Sequence, residues 1–143
     1  MPVRSIGHAV LKVRNRERAE AFYNGVLGMP IATRNDRMTF FTLGNHHDFA
    51  VMVMGDDAPL AEPDGVGLAH VAFNVGETLD DLRAMKERVE AHGVRIDRQV
   101  DHTVSASLYL SDPDGNGIEL YVDTSDEWKR DPDALIRRKE LVL

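Results

Sequence analysis

One strand, one helix and three strands run through this chain twice, and that internal repeat restricts the available folds more than any other feature. Ser5 to Val13 is valine-rich and partly alternating, as a strand requires. Asn15 can cap a helix over about Arg16 to Val26, in which Ala19, Phe22, Tyr23 and Val26 recur at helical spacing. Gly28 suits a left-handed helix end, and Pro30 prevents continuation. Two β-type runs follow, Ile31 to Asn35 and Met38 to Leu43, then the loop Gly44-Asn45-His46-His47 and a strand over Phe49 to Met54. A stretch rich in Asp, Pro, Gly and Ala then intervenes, after which the order restarts. Gly67 to Val75 is the new first strand, and Thr78 caps a helix over about Leu79 to Ala91, with Asp81 at the capping-box position. Gly93 closes that helix and Ile96 opens the next strand; Ala106 to Ser111 and Ile118 to Val122 complete the set. The expected organisation is one domain over 1–143: a first module at about 5–54, a linker at 55–66, a second module at 67–123 and a tail at 124–143.

Overlaying the halves sets Ile6-Gly7-His8-Ala9-Val10 against Leu68-Ala69-His70-Val71-Ala72, so His8 and His70 occupy equivalent positions. The Phe49-Ala50-Val51 segment matches Ile118-Glu119-Leu120, so Ala50 stands where the second half has Glu119. Glu119 is a charge inside an otherwise apolar strand, and a buried carboxylate is costly unless it is paired or binds a metal. The Pro113-Asp114-Gly115 turn reverses the chain and sets Tyr109 and Glu119 on neighbouring strands. A plain hairpin with an incidental glutamate is the blander reading, and a single histidine in a strand is more often a core residue than a ligand. The repeated histidine shifts that balance: pairing the two halves about a pseudo-twofold would bring His8 and His70 to Glu119. Two histidines and one carboxylate with open positions suit Fe(II) and oxygen chemistry, with Mn, Ni, Co or Zn as alternatives.

Composition narrows the rest. With no cysteine, disulfides, thiolate metal sites and cysteine nucleophiles are excluded. A formal charge of −7 argues against nucleic acid and anionic membrane as partners. No apolar run is long enough to span a bilayer and no basic-then-apolar leader opens the chain, which leads to the expectation of a cytoplasmic location. His92, in the last turn of its helix, is expected to meet the free carbonyls there. The tail, with the only tryptophan at Trp128, is given a packing or subunit-contact role.

These residues resemble the vicinal oxygen chelate superfamily over about Ile6 to Val122, and within it a one-domain type I extradiol ring-cleavage dioxygenase. The motifs that carry the likeness are His102, Leu108-Tyr109, Asp112-Pro113-x-Gly115 and Glu119, with His46-His47-Asp48-Phe49-Ala50 in the first half. The resemblance implies an α+β fold in which two paired βαβββ modules form a curved mixed sheet around a metal cavity. It implies His8, His70 and Glu119 as metal ligands, His47 as an acid–base residue beside dioxygen, and His102 with Tyr109 hydrogen-bonding the substrate hydroxyls. Strict alternation puts His46 on the face of Ala50 instead, so His47 reaches the cavity only if the strand bulges at its start. The implied reaction is Fe(II)-dependent meta cleavage of a catechol-type diol with O2, in a homodimer or higher homo-oligomer. Other readings remain open: a glyoxalase-, epimerase- or thiol-transferase-type enzyme of the same superfamily, or a non-catalytic binding or resistance protein. Phe40, Phe41, Met52, Met54 and Phe73 are the expected pocket residues.

Overall fold

The computed structural model describes residues 1–46 and 48–143. Contacts divide them into two compact units, residues 1–65 with 113–115, and residues 66–112 with 116–143. Each unit holds one mixed sheet, and the repeat read from the sequence is the repeat of the structure.

In the first unit, β1 (Ala9–Val13) runs parallel to β4 (Phe49–Val53), which is antiparallel to β3 (Met38–Phe41), which in turn pairs with β2 (Ile31–Arg34). Between β1 and β2 lies α1 (Arg16–Glu20), continuing into a π-helical segment, Ala21–Val26. The Asn15 side chain accepts the Arg18 N–H at 3.0 Å, so the cap expected of it is made. Gly28 ends the helix at φ 77°, a backbone region that glycine enters without steric penalty. The widened π turn, in which the Leu27 N–H reaches back to the Phe22 carbonyl at 2.9 Å, has no signal in the sequence. It still delivers Phe22, Tyr23 and Val26 to the buried side. There Tyr23 packs 4.8 Å from Phe49 and 5.9 Å from Phe41, ring centre to ring centre. Phe41 is therefore a core residue and not a pocket wall; Phe40, its neighbour, lies opposite Ala50 on the other face.

In the second unit the order is β5 (Val71–Asn74), β8 (Gly117–Asp123), β7 (Ser105–Ser111), β6 (Ile96–Asp101) and β9 (Lys139–Glu140). Helix α2 (Leu79–Ala91) matches the expected span, and Thr78 and Asp81 close a reciprocal capping box. His92 Nδ1 lies 2.8 Å from the Arg88 carbonyl, as its helix-end position predicts. Leu82 and Val89 of α2 are fully buried, as are Leu108, Ile118 and Val122 of the sheet it packs on. Burying each such side chain contributes about 1.5–3 kcal/mol. Phe73, half-buried, lies opposite Leu120 on the α2 side of the sheet.

Two differences from the expected elements matter. Both first strands are shorter than the sequence suggests, so His8 and His70 each stand one residue ahead of their strand. Both halves also slip register at the same place, between Ile31 and Thr33 in β2 and between Ile96 and Arg98 in β6. The tail wraps back through two 3₁₀ turns, and β9 then adds an edge strand to β6. Among the described residues no helix is long and apolar enough to cross a membrane.

Candidate active site

On the face of the second sheet away from α2, pairing brings the chemistry-bearing residues together. Asp112 and Asn116 bond across the Pro113–Gly115 turn, Asp112 N–H to the Asn116 carbonyl and Asn116 N–H to Asp112 Oδ1, each at 2.9 Å. The hairpin closed in this way sets Tyr109 directly opposite Glu119. On the other side of β8, parallel pairing sets Ala72 opposite Glu119, and Val10 opposite Ala50 repeats that relation in the first unit. The equivalence of Ala50 with Glu119, and of His8 with His70, is thus also one of strand register.

Glu119 is 8% exposed. Its Oε2 lies 3.0 Å from His70 Nε2, and its Oε1 accepts the hydroxyl of the fully buried Ser107 at 2.6 Å. A buried carboxylate needs such partners. Gly117 makes the approach possible, because a Cβ there would run into the Ala69 carbonyl oxygen and lie 3.2 Å from His70 Cβ. His102 Nε2 and the Tyr109 hydroxyl share a hydrogen bond of 2.8 Å. The Tyr109 ring also meets the His70 ring edge-on, with centres 5.6 Å apart. Burial pushes the Tyr109 phenol above its ordinary pKa, and the charge and hydrogen bonding of Glu119 add to the shift; Arg98 and Arg138 partly offset it. The phenol is a neutral donor at physiological pH.

The residues read from the sequence fall into three groups. His70, His102, Tyr109 and Glu119 are gathered in the second unit. His8 is exposed and belongs to the first unit, and among the described residues no three His, Asp or Glu side chains form a metal-holding group. His47 lies outside the described residues; its neighbour His46 is exposed, its ring 3.0 Å from Asn45 Oδ1. Sequence reasoning missed Ser107, Gly117 and Arg98. A serine sharing Tyr109's face and a glycine inside a strand were the available signals for the first two; Arg98 had none.

The donor set fits a divalent transition metal. Two ligands each about 2.1 Å from one ion and at right angles to each other sit about 3 Å apart, the separation between His70 Nε2 and Glu119 Oε2. Ser107, bonded to the other carboxylate oxygen, is the kind of outer contact that orients a ligand.

A mixed α+β fold built from two βαβββ units, with a histidine and a carboxylate on one sheet face, defines a class. The chain belongs to the Glyoxalase/Bleomycin resistance protein/Dioxygenase superfamily, whose family model matches residues 5–120. It is 37% identical over 128 residues to a catechol-2,3-dioxygenase of Bacillus subtilis, covering 88% of this chain and 44% of that protein. It is 31% identical over 121 residues to the glutathione transferase FosA of Serratia marcescens, covering 84% of this chain and 82% of that protein. The chain thus spans about half the length of the dioxygenases it matches, 44% of the Bacillus protein and 63% of a biphenyl-2,3-diol 1,2-dioxygenase of Rhodococcus globerulus. Among solved structures, a glyoxylase/bleomycin resistance protein/dioxygenase domain from Frankia superposes with a TM-score of 0.71 at 20% identity, covering 86% of this chain and all (100%) of that one.

Proposed function

We propose that this protein is a metal-dependent ring-cleavage dioxygenase that opens a catechol-type diol with O2, using Fe(II). The observation that carries this reading is the His102–Tyr109 pair, hydrogen-bonded at 2.8 Å on the same sheet face as His70 and Glu119. The similarity to diol dioxygenases of Bacillus and Rhodococcus supports it.

His70 and Glu119 would hold the metal, with His8, the repeat equivalent of His70, as the third protein ligand. Bound Fe(II) would supply the electron path between diol and dioxygen. Two neutral imidazoles and one carboxylate leave it one unit of positive charge, which a diol monoanion balances. Ser107 holds the carboxylate by one oxygen and leaves the other directed at His70. Tyr109, kept protonated by burial and by Glu119, donates to a diol oxygen. The hydrogen bond from His102 Nε2 to the Tyr109 oxygen would orient that hydroxyl toward the diol, and imidazole is suited to supplying a proton along this path at neutral pH. His47 is proposed as the second acid–base group.

One observation supports a second reading, metal-dependent thiol transfer: the chain is 31% identical to the Serratia FosA over 84% of its own length. Loading the protein anaerobically with Fe(II), adding a panel of catechols and then admitting oxygen separates the two. Oxygen uptake with a coloured ring-opened product is expected. No uptake with any catechol, together with metal-dependent consumption of a thiol on an epoxide, would replace the first reading by the second.

A further inference from the structure

The register slip in β6 changes what its side chains face. Alternation from Ile96, which pairs with the buried Leu110, would put Arg98 on the α2 side. The slip between these residues instead pairs Arg98 with Tyr109, and its guanidinium carbon sits 4.2 Å from the Tyr109 ring centre. The same slip turns Gln99 toward the α2 side, where it pairs with the fully buried Leu108 and its Oε1 is buried without a hydrogen-bond partner among the described residues. A buried orphan acceptor destabilises the fold, so the slip is kept against a local disadvantage.

The tail brings a second guanidinium to the same place. β9 pairs Val100 with Glu140 and Asp101 with Lys139, and one further step along that register sets Arg138 opposite His102. Arg98 and Arg138 are both exposed, and among the described residues neither forms an ion pair or hydrogen bond. Their charged neighbours are otherwise engaged: Asp97 with Arg95, Asp101 with Lys139, and Arg137 with Glu127 and Asp131. Glu140 is exposed and forms no ion pair with either arginine. In a chain of net charge −7, two guanidinium groups without an ion pair among the described residues flank the hydrogen-bonded Tyr109–His102 pair proposed to meet the diol.

We propose that Arg98 and Arg138 together bind a carboxylate carried by the ring, so that the substrate is an acidic catechol and not a neutral one. A guanidinium fork matches a carboxylate in two parallel hydrogen bonds, and Arg98 is held beside the proposed diol position by its place over the Tyr109 ring. The tail, which packs through Ala134 and Leu141, then also acts as part of the substrate site through β9. This inference rests on the ring-cleavage reading for the position of the diol.

Anaerobic binding of a matched pair of ligands to the Fe(II)-loaded protein tests it without turnover: 3,4-dihydroxyphenylacetate against its amide, with 3-(3,4-dihydroxyphenyl)propionate and its amide as a longer pair. In at least one pair the acid binds about tenfold or more tightly than the amide. Arg98→Met and Arg138→Met each bring that ratio close to one, and high salt narrows it because both side chains are exposed. Circular dichroism confirms that the variants are folded. Equal binding of acid and amide in both pairs, or an unchanged ratio in both variants, overturns the inference even if the rings are cleaved. A preference abolished by the substitutions, with no oxygen uptake afterwards, upholds the anion site and removes the dioxygenase reading instead.

Discussion

Ser107 donates its hydroxyl to Glu119 Oε1 at 2.6 Å, inside a protein face where neither side chain meets much water. That bond leaves only Oε2 to face His70, 3.0 Å away. In the proposed site it is therefore Oε2 that would face the metal. Ser107→Ala removes the donor and leaves a buried carboxylate oxygen short of a partner. The expected loss is about 1–3 kcal/mol in urea-induced unfolding. Metal affinity should also fall by about tenfold in a competition with a chelating dye. Unchanged values for both would mean that the hydroxyl is incidental.

The three proposed ligands are separable by metal content. His70→Ala and Glu119→Ala are each expected to lose stoichiometric Fe(II), measured by elemental analysis after anaerobic loading. His8→Ala should do the same if the repeat equivalence extends to function. Full retention in His8→Ala, with loss in the other two, would reduce the site to the pair that the second unit itself assembles.

His102→Ala and Tyr109→Phe should keep the metal and slow ring cleavage by about a hundredfold or more, a typical contribution of a positioned proton donor or acceptor. Metal loss in either would move that residue into the ligand set. Tyr109 also carries a sign for pH. Its pKa is raised in the folded state, so the folded protein holds that proton more tightly than the unfolded chain. The stabilisation is fully present below the ordinary phenol range, near 10, and is lost as pH rises through the folded value. Unfolding free energy should therefore fall above about pH 10 more steeply in the parent than in Tyr109→Phe.

Gly117→Ala places a methyl group against the Ala69 carbonyl oxygen, which is backbone and cannot swing aside. A destabilisation of about 1–3 kcal/mol is expected, with His70 displaced from Glu119 and the metal bound less tightly. A variant with parental melting temperature and metal content would contradict the close approach.

Gln99→Met removes the buried orphan acceptor created by the β6 slip while keeping the side chain's length. A gain of about 1 kcal/mol in thermal or urea unfolding is expected. A loss of similar size would show that the amide has a partner in solution.

Much of this architecture was legible along the chain. The span of α2, its Thr78–Asp81 capping box and the Gly28 and Gly93 helix ends depend on residues a few positions apart. The two-fold strand–helix–strand order is a sum of such local signals, and it was enough for the family and for the equivalence of Ala50 with Glu119. Tyr109 opposite Glu119 was legible for the same reason, because a short turn sets the register of a hairpin.

By itself, then, the sequence determined the elements, their repeat and the residue types available for metal and proton chemistry, all of which follow from short-range periodicity and turn geometry. Only the tertiary structure decided that Ser107 holds Glu119, that Gly117 lets His70 approach it, and that Arg98 lies over the Tyr109 ring while the β9 register brings Arg138 to His102. Ser107, Gly117 and Arg138 act through strand register or close backbone approach between segments far apart in the chain. Arg98 depends on a one-residue slip, and a period-two strand changes faces when it slips by one. Alternation read along β6 alone puts Arg98 on the wrong side of the sheet.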